Sequence, residues 1–151
     1  MAPPILLVED DLALAQLLAC ELETIGIPVE HSPSGELAIE LLQAKHYPVI
    51  VMELILSTSG GISGGYVVKA IRKLPPEMRP LIVLMLNGSA TLRGLDRSAV
   101  SAMLFKPLDV KLFTEYVFAT YRRALEVTEP SSPTQPESSS VCPAPPTSSV
   151  R

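Results

Sequence analysis

Four charged side chains in this sequence, Glu9, Asp10, Glu53 and Lys106, each fall at or next to the end of a short apolar run. Carboxylates gathered in one place repel one another, so such a cluster either binds a divalent cation or raises the pKa of at least one member. Mg²⁺ suits oxygen ligands, and it is usually held by one or two carboxylates together with water and phosphate. These residue types therefore predict ion pairing or weak metal binding, provided that the fold brings them together.

The segments that position these side chains alternate between two kinds of pattern. Apolar runs predict strands at 5–8, 27–31, 49–54, 81–86 and 103–105, and helical spacing predicts helices at 14–25, 35–42, 66–73, 91–100 and 110–126. Alternation of this kind indicates an α/β fold, with a doubly wound five-stranded parallel sheet between helices. Ligands of such sheets gather at the carboxyl ends of the strands. We therefore expect one pocket there, lined by Glu9, Asp10, Glu53, Met85 and Lys106.

Composition and charge limit the class of protein. The chain has 151 residues, of which 47% are apolar, and its formal net charge is −4. Its basic residues form no long run, so the footprint of a nucleic-acid-binding protein is missing. Cys20 and Cys142 are far apart, which predicts no disulfide framework and suits a reducing cytoplasm, and Cys20 is expected to be buried on the first helix. We predict no signal peptide and no membrane span, and hence a cytoplasmic protein without a nucleic-acid or membrane partner.

The composition changes after Val127. Residues 128–151 are rich in Pro and Ser, nearly free of large apolar side chains and without periodicity. Such a segment cannot bury enough apolar surface to offset the entropy that ordering would cost. We therefore predict a folded domain over 1–127, followed by a disordered tail or linker over 128–151.

Two motifs give the chain a family resemblance. I-L-L-V-E-D-D at 5–11 is similar to the first strand and acidic pair of the receiver domain of bacterial two-component response regulators, and L-F-K-P at 104–107 is similar to its Lys-Pro motif. The resemblance covers about residues 4–126 and implies a flavodoxin-like three-layer sandwich. It also implies Mg²⁺ held by the acidic pair and by an Asp that accepts a phosphoryl group. In this family a hydroxyl and an aromatic ring relay phosphorylation to a partner-binding face, made by helix four, strand five and helix five.

The sequence departs from the family at three of these positions. The phospho-acceptor position matches Glu53, the hydroxyl position Met85 and the aromatic position Met103, whereas Lys106 keeps the pattern. Glu is longer than Asp by one C–C bond, about 1.5 Å, and a positional error near 1 Å can cost about 10²-fold in such chemistry. We therefore expect a pseudo-receiver in which Glu53 reaches Lys106 directly. Either a structural salt bridge or a mimic of phosphorylation would result, and Met85 and Met103 are expected to pack together or against the predicted fourth helix.

These observations predict a signal-transduction domain that acts through protein–protein interaction. The expected binding surface is the face of helix four, strand five and helix five, including Met103, Phe105, Tyr116 and Arg122, and a homodimer is one form that it could take. We expect no enzymatic activity and no required cofactor.

Two alternatives stay open. The first is a phosphorylation- or Mg²⁺-dependent switch that uses Glu53, with a weak metal site at Glu9, Asp10 and Glu53. The second is a small-ligand-binding domain of flavodoxin-like shape that uses the small-residue loop 57–65.

Overall fold

A computed structural model describes residues 2–56, 63–88 and 95–128 of the chain. Most of the predicted tail, most of the loop at 57–65 and the first part of the predicted fourth helix therefore lie outside the described residues. The two-region division and the use of that loop stay predictions.

The described elements follow the predicted alternation of strand and helix. The strands are β1 Ile5–Val8, β2 Val29–Ser32, β3 Val49–Glu53, β4 Leu81–Leu86 and β5 Ala102–Phe105. The α-helices are α1 Leu12–Thr24, α2 Gly35–Ala44, α3 Gly64–Arg72 and α4 Val110–Thr128, and short 3₁₀ turns cover Pro76–Met78 and Arg97–Ala99. No helix within the described ranges has the length and apolarity needed to cross a bilayer.

The five strands form one parallel sheet in the order β2-β1-β3-β4-β5. Side chains alternate between the two faces of a strand, and both faces of these strands are apolar. One face packs with α2 and α3, through residues such as Leu6, Ala38 and Val67. The other packs with α1 and α4, through residues such as Leu7 and Phe113. The predicted doubly wound, flavodoxin-like three-layer sandwich is confirmed.

Polar caps start the helices close to the carboxyl ends of the strands. The side chains of Asp11, Ser34, Ser63 and Asp109 each accept a hydrogen bond from a backbone N–H three residues later. Such bonds satisfy donors that the first turn of a helix leaves free. For α1, α2 and α4 the cap follows the preceding strand within four residues, on the edge where the charged side chains converge.

The predicted helix over 91–100 differs from the described structure. Residues 95–100 contain only the 3₁₀ turn Arg97–Ala99, so the helix predicted as the fifth is α4 here. The side chain of Asp96 accepts hydrogen bonds from both the N–H and the hydroxyl of Ser98. Short polar side chains that bond to nearby groups in this way compete with helix formation.

The prediction that Cys20 is buried is wrong, and so is the first of the two alternatives for Met85 and Met103, that they pack together. The other alternative, packing against the predicted fourth helix, falls partly outside the described residues, although Leu95, Ala99 and Val100 from its described end pack against the same core as Met103. Met85 belongs to the core on the α1 and α4 side, whereas Met103 packs against the core on the α2 and α3 side, so the sheet separates them. Cys20 is exposed. Leu18 and Leu22 are buried on α1, and at about 100° per residue Cys20 lies on the opposite side of the helix from both.

Candidate functional site

Lys106 joins two acidic side chains at the carboxyl edge of the sheet. Its Nζ lies 3.0 Å from Oε1 of Glu9 and forms a closer ion pair with Oε1 of Glu53. The side chains of Glu9 and Glu53 are only 1% and 5% exposed, and that of Lys106 is 22% exposed. The predicted contact between Glu53 and Lys106 is therefore present, and a single ammonium serves two buried carboxylates.

Backbone and side-chain groups hold Glu9 in place. Its N–H donates to the carbonyl of Ser32, and its Oε2 accepts from the N–H of Asp11 at 3.1 Å. Nε2 of His31 lies 2.8 Å from the Glu9 carbonyl oxygen. Because that oxygen can only accept, the ring must carry its proton on Nε2. Sequence reasoning gave His31 no role, and only the pairing of β1 with β2 reveals it.

Glu53 is the last residue of β3, and Gly64, the first residue of α3, packs closely against this end of the strand. A Cβ on Gly64 would lie 2.6 Å from the Glu53 carbonyl oxygen and 2.8 Å from Cα of Leu54, so the approach of α3 to β3 requires glycine at this position. The N–H of Gly64 donates to the carbonyl of Leu54 at 2.8 Å. Within the described part of the chain, Oε2 of Glu53 is buried and has no hydrogen-bond partner. The site thus contains one buried oxygen that the ion pair leaves unused.

The electrostatics of the site follow from burial and pairing. Burial raises the pKa of Glu9, although its hydrogen bond to Lys106 acts in the opposite direction. Burial alone would lower the pKa of Lys106, but the hydrogen bonds to Glu53 and Glu9 outweigh it and the pKa is raised. The ammonium is therefore firmly charged, whereas burial makes the charged form of Glu9 costly.

The predicted switch position Met85 is buried within β4, one residue before the strand ends. Met85 pairs with Glu53 in the β3–β4 register and is wholly buried in the core with Phe113. β4 ends at Leu86, and the first residue beyond the strand is Asn87, which is half-buried. The structure therefore favours Asn87 for the position that the resemblance assigned to a hydroxyl. A slip of two residues within an apolar run leaves the alternation of faces unchanged, so the sequence pattern could not detect it.

The predicted metal site is not assembled. Among the described residues, no group of three His, Cys, Asp or Glu side chains is placed to hold a metal ion. Oxygen ligands suit Mg²⁺, but Lys106 takes one oxygen of each buried carboxylate and the N–H of Asp11 takes the second oxygen of Glu9. Asp10 is half-buried beside this pair. In this arrangement Glu9, Asp10 and Glu53 are not grouped as ligands for Mg²⁺, and Lys106 already pairs with two of the three carboxylates.

Three of the four predicted partner-surface residues lie together. A cavity of about 480 Å³ between β5 and α4 is lined by Met103, Phe105 and Tyr116 among others, and the last two are strongly exposed. Arg122 does not line this cavity. Its guanidinium lies 5.9 Å from the centre of the Phe118 ring. Arg123 lines the cavity instead.

Comparison with known proteins identifies relatives. A family model described as the response regulator receiver domain matches residues 5–118. The phosphate regulon transcriptional regulatory protein PhoB of Rhizobium meliloti (strain 1021) is 32% identical over 127 residues, which are 82% of this chain and 54% of that protein. The chain thus spans about half the length of this curated relative.

Solved structures share the fold. A signal receiver domain from Vibrio parahaemolyticus gives a TM-score of 0.73 at 21% identity, over 84% of this chain and 95% of that chain. The signal receiver domain of an HD domain-containing protein from Pseudomonas fluorescens Pf-5 gives 0.70 at 17%, over 83% and 91%. The Francisella response regulator 1452 receiver domain gives 0.68 at 23%, over 80% and 98%. These likenesses show the fold alone, but the family model matches most of the sequence, and the chain therefore belongs to the response regulator receiver domain family of two-component signalling.

Proposed function

We propose that this receiver domain acts through protein–protein interaction without phosphorylation of an aspartate. The observation that supports the proposal is the ion pair of Lys106 with Glu53, which stands where the family resemblance places the phospho-accepting Asp. The extra methylene of Glu carries the carboxylate to the lysine. The pair then holds the pocket in one state and needs no kinase.

Charge in the pocket also argues against a phosphoryl group on Glu53. Two buried carboxylates already face one ammonium. An acyl phosphate at Glu53 would replace the single charge of the carboxylate with about two negative charges, in a site where no described group of side chains is placed to hold a metal. Uncompensated charge in a buried site is strongly unfavourable, so phosphorylation at Glu53 is disfavoured.

The partner surface that we propose is the cavity between β5 and α4, with Phe105 and Tyr116 as exposed aromatic anchors. Aromatic residues, including Phe and Tyr, are enriched at protein interfaces. The partner is a signalling protein or a second copy of this domain, acting in the cytoplasm. We assign the domain no catalytic activity of its own.

Intact mass after incubation with a small acyl phosphate and Mg²⁺ tests the proposal. We expect the wild type to gain no phosphoryl group, because Glu53 is paired and misplaced for transfer. Glu53→Asp shortens the side chain and Glu53→Gln removes its charge, so the two variants form a matched pair. If the wild type gains a phosphoryl group that Glu53→Gln abolishes, the proposal is wrong and the domain is a switch that uses Glu.

That switch is the second candidate function. It is favoured by the buried Oε2 of Glu53, which lacks a partner in the described structure and is chemically able to accept a phosphoryl group. The third interpretation, small-ligand binding through loop 57–65, falls mainly on residues outside the described ranges.

A further inference from the structure

A groove between α2 and α3 lies away from both surfaces discussed above. Its volume is about 610 Å³, within the range of ordinary ligand and peptide pockets. Its floor is apolar and continues into a narrow cleft beneath it, where Ile39, Leu42, Ala70 and Leu74 meet. The residues that line the groove are Ile39, Gln43, Tyr66, Lys69, Ala70, Arg72, Lys73 and Leu74.

One wall of the groove is cationic. Lys69, Arg72 and Lys73 line it, and none of the described residues that line it carries a carboxylate. Arg72 pairs with Asp96, but Lys69 and Lys73 form no ion pair with any side chain in the described part of the protein. Lys69 lies in the last turn of α3 and Lys73 directly follows that helix, four residues later, a spacing at which like charges repel. They concentrate positive charge on one face of a chain whose net charge is −4.

The stability of α3 alone does not explain why cationic and aromatic side chains surround an open apolar groove. Cations near the carboxyl end of a helix interact favourably with its dipole, which offsets part of the repulsion between Lys69 and Lys73. The dipole does not explain why Tyr66, one turn earlier, is 57% exposed beside an open apolar floor. An exposed aromatic, an apolar floor and a rim of cations together describe a binding surface for a partner that is apolar on one side and acidic on the other.

We propose that the α2–α3 groove binds an acidic amphipathic segment of a partner protein. The apolar side chains of that segment pack on Ile39, Leu74 and the ring of Tyr66, and its carboxylates pair with Lys69 and Lys73. Nucleic acid fits less well, because its charged phosphate backbone would gain no favourable contact from the apolar floor of the groove. A basic peptide would be repelled by the same rim. The proposed site does not include Glu53, so this proposal does not depend on whether Glu53 is phosphorylated.

Selection from a displayed library of short random peptides against the whole chain tests the inference. We expect enriched peptides to carry an excess of Asp and Glu together with Leu, Ile or aromatic residues at helical spacing. The affinity of the enriched peptides, measured with a fluorescent label, should fall as the salt concentration is raised, because salt screens the charges at the rim of the groove. In Lys69→Glu/Lys73→Glu the affinity should fall by at least about tenfold, since two attractive contacts become repulsive. Tyr66→Ser tests the apolar part of the groove and should also weaken binding.

The matched control is Lys111→Glu/Arg122→Glu, which makes the same change of charge on exposed positions of α4 that do not line the cavity between β5 and α4. Its affinity for the selected peptides should stay within about twofold of wild type, because distant rim charges contribute little. Thermal melts of both variants check that the fold is unchanged. The inference is overturned if no acidic peptides are enriched, if the control loses affinity equally, or if a DNA or RNA oligonucleotide displaces the peptides from the groove.

Discussion

Replacing Lys106 with methionine keeps most of the side-chain volume but removes the charge between two buried carboxylates. Glu9 and Glu53 are 1% and 5% exposed, so neither gains solvation from water when the ammonium is lost. Breaking such a buried pair costs about 3–5 kcal/mol, because the remaining charge has no partner. Domains are typically stable by only about 5–15 kcal/mol. We therefore expect Lys106→Met to lose a large share of its free energy of unfolding, with a fall in Tm of roughly 10–20 °C.

Urea unfolding of the variant at several pH values provides a second check. Burial raises the folded-state pKa of Glu9 above its ordinary value of 4.5. The stability linked to Glu9 is thus fully present below that value and is lost as pH rises through the folded pKa. Without the ammonium Glu9 loses the group that favours its charged form, so it takes up a proton more readily. The gap between wild type and Lys106→Met should shrink as pH falls from about 7 towards about 5.

Lys45→Met is the matched control. Its ion pair with Glu30 is far more exposed, at 50% and 35% of the two side chains, and exposed pairs contribute only about 0–1 kcal/mol. The double variant Lys106→Met/Glu53→Gln removes one buried charge together with its partner, so it should recover part of the lost stability. If Lys106→Met costs no more than Lys45→Met, the buried ion pair does not stabilise the fold and the argument from burial is refuted.

Three further changes test other parts of the structure. Gly64→Ala places a Cβ within 2.8 Å of the backbone at the end of β3 and should lower the free energy of unfolding in urea by about 1–3 kcal/mol. In Gly65→Ala the new Cβ meets only a side-chain oxygen at 3.8 Å, so this control should stabilise α3 by up to about 1 kcal/mol. Equal losses of stability in the two variants would contradict this interpretation. Tyr47→Phe removes the hydroxyl that donates to Glu30 at 2.8 Å and should cost about 1 kcal/mol by thermal melting, whereas no change would mean that water replaces the bond. The raised pKa of Lys106 predicts stability that is fully present below 10.5 and lost as pH rises through the folded-state pKa; unfolding between pH about 9 and about 12 should show this additional loss in wild type and not in Lys106→Met.

The sequence predicted the sheet and the meeting of its charged residues for identifiable physical reasons. Strands buried on both faces are read as continuous apolar runs, and all five runs became strands of one parallel sheet. In such a sheet the carboxyl ends share one edge, so Glu9, Glu53 and Lys106 had to converge there. The contact of Lys106 with Glu53 followed from side-chain length.

Other features depend on information that patterns do not carry. The resemblance placed Met85 where the structure favours Asn87, because a two-residue slip in a run of apolar residues preserves which face each side chain occupies. The 3₁₀ turn at Arg97–Ala99 is favoured by local bonds between Asp96 and Ser98 that helical periodicity does not register. The bond of His31 to the Glu9 carbonyl depends on strand pairing across 22 residues of sequence. Each of these is a matter of register or local hydrogen bonding rather than of hydrophobic pattern.

The charge arrangement itself argues for a domain that rests in one state. A switch needs two conformations whose free energies are close enough for a ligand or a modification to exchange them. Withdrawing Lys106 from Glu53 and Glu9 would leave two buried carboxylates without their cation, at a cost of about 3 kcal/mol or more. A difference of about 3 kcal/mol corresponds to a population ratio of roughly 150 to 1, since each 1.4 kcal/mol is a factor of ten. A partner could reverse that ratio only by binding the minor state more tightly by a larger factor. The paired state is therefore the one that partners of this receiver domain would meet.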